Sequence, residues 1–126
     1  MKYRSRILVA DDNEEVLAMI DLLLNMLGYR VLQARNGLEA VDIYRSHSEE
    51  ISMVILDVVM PSMGGIDASK QIRQMNPDAR ILFLTGYNPD DNAGEGQLRA
   101  ETVVMKPFKV TAFSQKISEI MGREAQ

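Results

Sequence analysis

Three short apolar runs in this chain each end in charged residues, and this repeated pattern constrains the fold more than any other feature. The run 7–10 precedes Asp11 and Asp12, the run 53–56 precedes Asp57, and the run 103–105 precedes Lys106. Such runs are typical of strands buried on both faces of a parallel sheet. Because ligands of open parallel sheets bind outside the carboxyl ends of the strands, we expect these charged residues to meet in one cleft.

Three carboxylates in one cleft repel one another. At a separation of ~4 Å and an effective dielectric constant of ~20, each pair costs about 4 kcal/mol. A cation must therefore hold them together, and hard oxygen ligands at this density suit Mg²⁺. The sequence predicts a site for Mg²⁺, or Mn²⁺, built from Asp11, Asp12 and Asp57.

Apolar runs alternate with amphipathic segments along the whole chain, which predicts an α/β fold with a parallel sheet covered on both faces. Strands are predicted over 7–11, 30–34, 53–57, 80–85 and 102–105, and helices over 14–27, 38–46, 66–75 and 111–121. Asn13 is expected to cap the first helix and Gly28 to end it. The segment 86–96 is rich in Gly, Asn and Pro, so a fourth helix there should be weak.

Length and composition exclude several classes of protein. The 126 residues suit one domain, 1–126, with a core over about 6–121. The net charge of −4, without a basic cluster, argues against direct nucleic-acid binding. The absence of cysteine excludes disulfides and thiolate zinc sites. No run approaches the ~20 apolar residues of a membrane helix, so we expect a cytoplasmic chain without membrane insertion.

Taken together and in order, these motifs resemble the receiver domain of two-component response regulators. The resemblance spans about residues 6–121 and rests on the acid pair 11–12, Asp57, the segment 60–65, Thr85 with Gly86, and the segment 106–108. It implies the CheY-like, flavodoxin-like fold: one doubly wound five-stranded parallel sheet with strand order 2-1-3-4-5. It also implies a receiver that signals by a change of shape once phosphorylated.

The resemblance implies a chemical role for each cleft residue. Asp57 would accept a phosphoryl group from a sensor histidine kinase or a histidine phosphotransfer protein, as a carboxylate nucleophile. Asp12 would bind Mg²⁺ directly and Asp11 mostly through water. The backbone carbonyl of Val59 would be a third protein ligand, and Lys106 would pair with Asp57 and then with the phosphoryl group.

Two further family features concern the neighbours of these residues. Thr85 would donate its hydroxyl to a phosphoryl oxygen, and Gly86 would leave room for that group. The peptide bond before Pro107 would be cis. Val59 and Tyr87 would flank the path of the attacking water, and their side chains predict slow self-dephosphorylation.

The chain departs from the family pattern at Val103, where many receivers carry Tyr or Phe. That ring moves inward when the conserved Thr meets the phosphoryl group, and Val has no ring to move. The usual readout face is therefore in doubt. A module that interacts without phosphorylation is the alternative function that this departure favours.

The first helix predicts a surface for a partner. Its core stripe is predicted to comprise Val16, Ile20, Leu23 and Leu27. A second apolar stripe, about 90° away and flanked by Glu15, comprises Met19, Leu22 and Met26. This stripe either widens the core face or docks a helix of the kinase or phosphotransfer protein, beside Pro107 and Phe108, as the resemblance implies.

Two other protein classes share part of this sequence pattern. A haloacid dehalogenase-like phosphatase would need an Asp where Val59 stands, and a flavodoxin-like cofactor binder would need a Gly-rich loop after the first strand. A receiver of this kind can stand alone, form a phosphorylation-dependent dimer, or belong to a longer regulator or hybrid histidine kinase.

Overall fold

The computed structural model describes residues 6–86 and 103–125, with side chains up to residue 122. The strands are β1 (Arg6–Ala10), β2 (Arg30–Ala34), β3 (Ile51–Asp57), β4 (Ile81–Thr85) and β5 (Val103–Met105). The helices are α1 (Glu14–Met26), α2 (Gly37–His47), α3 (Gly65–Met75) and α4 (Val110–Ala125). The predicted weak helix over 86–96 lies, after its first residue, outside the described residues.

The five strands form one parallel sheet in the order β2-β1-β3-β4-β5, which confirms the predicted fold and topology. Ala10 at the end of β1 is level with Leu56 of β3. Asp57 is level with Leu84, and Thr85 with Met105. This register brings the carboxyl ends of β1, β3, β4 and β5 to one edge of the sheet, where parallel sheets bind their ligands.

Each face of the sheet is covered by a pair of helices, because successive side chains of a strand point to opposite faces. Leu8 and Ala10 of β1 pack into the core beneath α2 and α3. Ile7 and Val9 pack into the core beneath α1 and α4. All four side chains are fully buried, which is why β1 is apolar throughout instead of alternating.

Helix α1 begins as predicted but buries a different stripe. Asn13 Oδ1 accepts hydrogen bonds from the backbone N–H groups of Glu15 and Val16, at 2.9 and 3.1 Å, so the predicted cap is confirmed. The buried residues are Leu17, Ile20 and Leu24. The predicted core residues Val16, Leu23 and Leu27 are half-buried on the flanks. The predicted stripe was therefore rotated away from the true centre of the buried face.

Within the described residues, no helix is both long and apolar enough to cross a membrane.

The loop from β3 to α3 is closed tightly by glycine. The N–H of Gly65 donates to Val58 O at 3.0 Å. A Cβ at Gly65 would lie 2.3 Å from Asp57 O and 3.2 Å from Leu56 Cβ. Glycine at 65 thus lets α3 begin against the end of β3.

We expect Gly65→Ala to lower the free energy of unfolding by about 1–3 kcal/mol, because the added methyl group would overlap backbone atoms at the end of β3. Gly122→Ala is the matched control: a Cβ there meets none of the described residues within 4 Å, and the helix propensity of Ala should add up to about 1 kcal/mol. Urea unfolding measures both. Equal stability of the two variants would contradict the close approach at Gly65.

Candidate functional site

The carboxyl ends of β1 and β3 bring three carboxylates together, as the sequence predicts. Asp11 and Asp12 follow β1, and Asp57 is the last residue of β3. One carboxylate oxygen from each lies within 4.8 Å of the others. Asp11 is fully buried and Asp57 nearly so, whereas Asp12 is exposed. The cleft therefore has two buried acids at its base and one at its mouth.

Lys106 joins the two buried acids from the end of β5. Its Nζ lies 2.8 Å from Asp11 Oδ2 and 3.3 Å from Asp57 Oδ2. Its backbone N–H donates to Thr85 O at 2.8 Å, which holds the end of β5 beside β4. The Lys106–Pro107 peptide bond is cis, as the resemblance implies. The ammonium group thus lies closer to Asp11 than to Asp57, which the sequence did not indicate.

Both oxygens of Asp11 already accept a hydrogen bond. Oδ1 accepts from the N–H of Asn13 at 2.9 Å, and Oδ2 accepts from Lys106. Asp12 presents its carboxylate at the exposed mouth. An ion such as Mg²⁺ usually keeps several waters and takes one or two carboxylates. The donor set fits such an ion, with Asp12 best placed for direct contact and Asp11 for contact through water.

Burial is the largest cause of a raised pKa at Asp57. Together with the negative charge of Asp11, it raises the pKa from 3.8 to about 6, although Lys106 and the N–H of Val59 act in the opposite direction. Burial acts to lower the pKa of Lys106. The carboxylates of Asp11 and Asp57 outweigh burial, so this pKa is raised above 10.5. At neutral pH the cleft therefore holds a charged ammonium group beside an ionised Asp57.

Thr85 and its neighbours line the side of the cleft at the end of β4. Thr85 is buried, at 1% exposure. Among the described residues, nothing lies within 4 Å of a Cβ built at Gly86. Val59 is 56% exposed in the loop after Asp57. Tyr87, the second residue predicted to flank the path of water, lies outside the described residues.

The predicted docking residues fall into two groups. Met19, Leu22 and Met26 are exposed by 39%, 61% and 74%, so the interpretation that they widen the core is wrong. Glu15 is also exposed on α1, and Pro107 after β5. Phe108 is half-buried and stacks on Phe113 of α4, with ring centroids 5.0 Å apart. Phe108 therefore anchors its loop and offers only part of its ring to a partner.

We expect the metal-free protein to lose stability as the pH rises from about 4 to about 6. The folded state holds the Asp57 proton more tightly than the unfolded chain does, so deprotonation in this range favours unfolding. Asp57→Asn should therefore stabilise the protein at pH 7.5 by on the order of 2 kcal/mol, and much less at pH 4. Glu49→Gln controls for loss of an exposed negative charge. A pH-independent gain in Asp57→Asn, measured by urea unfolding in EDTA, would contradict this expectation.

Known proteins resemble the chain over nearly its whole length. Residues 7–118 match the family model of the response regulator receiver domain. The chain is 31% identical over 121 residues to the response regulator receiver protein CpdR of Brucella abortus, covering 92% of this chain and 96% of CpdR. It is 38% identical over 80 residues to the autoinducer 1 sensor kinase/phosphatase LuxN of Vibrio campbellii, covering 64% of this chain but 9% of LuxN.

Among solved structures, a response regulator receiver domain protein from Clostridium thermocellum superposes with a TM-score of 0.83 at 30% identity, covering 96% of this chain and 97% of that one. The match to the family model agrees with the parallel sheet of this chain and with the charged residues at its strand ends. The chain therefore belongs to the response regulator receiver domain family.

Proposed function

We propose that this receiver accepts a phosphoryl group on Asp57 in a Mg²⁺-dependent reaction and signals through the resulting change of shape. The observation that carries the proposal is the placement of the Lys106 ammonium group between the buried Asp11 and Asp57 carboxylates. This arrangement keeps a nucleophilic carboxylate beside a fixed positive charge. The donor of the phosphoryl group would be a sensor histidine kinase or a histidine phosphotransfer protein, and the reaction would take place in the cytoplasm.

The reaction is the transfer of a phosphoryl group from a histidine nitrogen to a carboxylate oxygen. One carboxylate oxygen of Asp57 forms a bond to phosphorus while the phosphorus–nitrogen bond of a phosphohistidine breaks, and the imidazole leaves with that electron pair. Lys106 can follow the charge to a phosphoryl oxygen, because its ammonium group is a compact charge on a flexible stem. Thr85 would donate its hydroxyl to another phosphoryl oxygen, next to Gly86, where no described residue lies within 4 Å of a built Cβ.

The divalent ion would be held by Asp11, Asp12, Asp57 and the carbonyl oxygen of Val59. When bound, it neutralises negative charge on the transferred phosphoryl group. Asp12 contributes most to affinity in this scheme, because the hydrogen bonds from Asn13 and Lys106 already occupy Asp11. The chain would promote its own phosphorylation and slow dephosphorylation, without turnover of an independent substrate.

The second candidate function is an interaction module that does not use phosphate. The observation that favours it is Val103, which is 8% exposed in the core and has no aromatic ring to move between two positions. The intact set of Asp11, Asp12, Asp57, Thr85 and Lys106 favours the phosphorylated receiver. The two functions differ in whether Asp57 takes up phosphate.

We expect one phosphoryl group per chain after incubation with acetyl phosphate and Mg²⁺, because Asp57 is the nucleophile beside Lys106. Intact-mass measurement follows the gain. Asp57→Asn should abolish it, and Asp12→Ala in Mg²⁺ should reduce it strongly. The control Asp78→Asn removes an exposed acid outside the cleft and should leave phosphorylation unchanged. A full mass gain in Asp57→Asn would place the phosphoryl group elsewhere.

We expect a double change, Met19→Ser with Leu22→Ser, to slow phosphotransfer from the cognate kinase by about tenfold, because both side chains lie on the exposed stripe of α1 and buried apolar contacts dominate such interfaces. Met75→Ser is the control: Met75 is on α3 with an exposure of 38%, matching the 39% of Met19. Phosphorylation by acetyl phosphate should be normal in all variants. Equal loss of phosphotransfer in the control would argue against docking on α1.

A further inference from the structure

The loop that follows Asp57 is held at two places by backbone contacts. At its base, Gly65 donates to Val58 O at 3.0 Å, which closes the loop on itself. Within the loop, Met63 donates to Pro61 O at 2.7 Å, and Ser62 adopts a left-handed conformation with φ of 69°. This conformation is uncommon for a residue with a side chain. The segment is therefore a compact, defined turn.

The far side of the same loop rests against the start of α2. The N–H of Gly37 donates to Met63 O at 2.9 Å. A Cβ at Gly37 would lie 2.4 Å from that oxygen and 2.9 Å from both the carbonyl carbon and Cβ of Met63. The oxygen and the carbon belong to the backbone, and the backbone fixes the position of Cβ, so none of the three atoms can rotate away. A side chain at 37 could be accommodated only by moving the loop or the helix.

The loop also carries contacts to the cleft. Val59 follows Asp57 by two residues in the chain, and its N–H acts to lower the pKa of the Asp57 carboxyl group. In the proposed function, the carbonyl oxygen of the same residue is a ligand of the divalent ion. Because the loop is closed at its base, displacement of Met63 would be transmitted to Val59 through the three residues between them. The position of Met63 therefore influences where the backbone N–H and carbonyl groups of Val59 lie.

We propose that Gly37 is a positioning residue for the acidic cleft: through the backbone of Met63, it sets the place of the loop whose Val59 faces Asp57 and the divalent ion. This inference rests on the proposed function. It adds the first turn of α2 to the site, although α2 contributes no side chain to the acid cluster. The coupling is reciprocal, so binding in the cleft should also be detected at Gly37.

Gly37→Ala tests the proposal. We expect the folded variant to bind Mg²⁺ about tenfold more weakly than wild type, as is usual when the support of a metal ligand is disturbed. Isothermal titration calorimetry with Mg²⁺ alone measures this, and circular dichroism establishes that the variant is folded. Gly122→Ala is the matched control, since no atom in the described part of the chain lies within 4 Å of a Cβ there, and it should bind Mg²⁺ as wild type does. Wild-type affinity in folded Gly37→Ala would overturn the proposal.

A measurement on the wild-type protein tests the same point without a variant. Saturating Mg²⁺ should slow hydrogen exchange of the Gly37 amide by about tenfold more than it slows exchange of the Glu39 amide. Glu39 lies in the same turn, but its N–H donates to Asn36 Oδ1 at 2.9 Å and not to the loop. Equal slowing of both amides would overturn the positioning role. A wild-type protein that binds no Mg²⁺ would overturn the proposed function together with this inference.

Discussion

The ion pairs of Lys106 with Asp11 and Asp57 are the interaction on which the rest of the cleft depends. Two carboxylates buried side by side repel each other and lose hydration, and either effect alone would favour their protonation. The ammonium group lies 2.8 Å from one and 3.3 Å from the other. It thereby offsets part of the repulsion between the two acids at the base of the cleft. The raised pKa of Asp57 shows that this compensation is incomplete. The divalent ion proposed at Asp12 would add to this compensation.

Backbone geometry provides the precision that these charges need. The parallel register sets the heights of Asp11, Asp57 and Thr85 along one edge of the sheet. The hydrogen bond from Lys106 N to Thr85 O sets the end of β5. Because these contacts involve main-chain atoms, they depend on the lengths of the strands and only indirectly on the core side chains. The stacking of Phe108 on Phe113 then secures the chain beyond Lys106.

The fold and the acid cluster were predictable because buried parallel strands are apolar throughout and end where charges begin. Boundaries were less predictable. Strand β3 begins at Ile51, two residues before the predicted start. The prediction missed these two residues because Ser52 interrupts the apolar run, at the place where the register with β1 shifts between Arg6 and Ile7. Helix α2 begins at Gly37, not at 38, because Asn36 caps it. The buried face of α1 was misplaced because most of its residues are apolar, which weakens the periodicity. The contact of Gly37 with Met63 was not predictable, since it joins backbone atoms distant in sequence.

The composition of α1 has a consequence for self-association of this receiver and for the partners that it would attract. The helix contains three acidic residues, Glu14, Glu15 and Asp21, and no Lys or Arg. Of these three, Glu15 flanks the exposed stripe, whereas Glu14 lies 3.2 Å from the guanidinium group of Arg35 and Asp21 accepts a hydrogen bond from Gln33. Two copies that met through the stripe would bring their Glu15 carboxylates together, which disfavours self-association there. A partner with a basic rim would instead be attracted over distances comparable with the Debye length, about 8 Å at physiological ionic strength. Its rate of encounter would then fall as salt is added, while the apolar contacts that hold the complex would be largely unaffected. For such a partner, charge near the stripe would set the rate of association, and the apolar contacts would set the rate of dissociation.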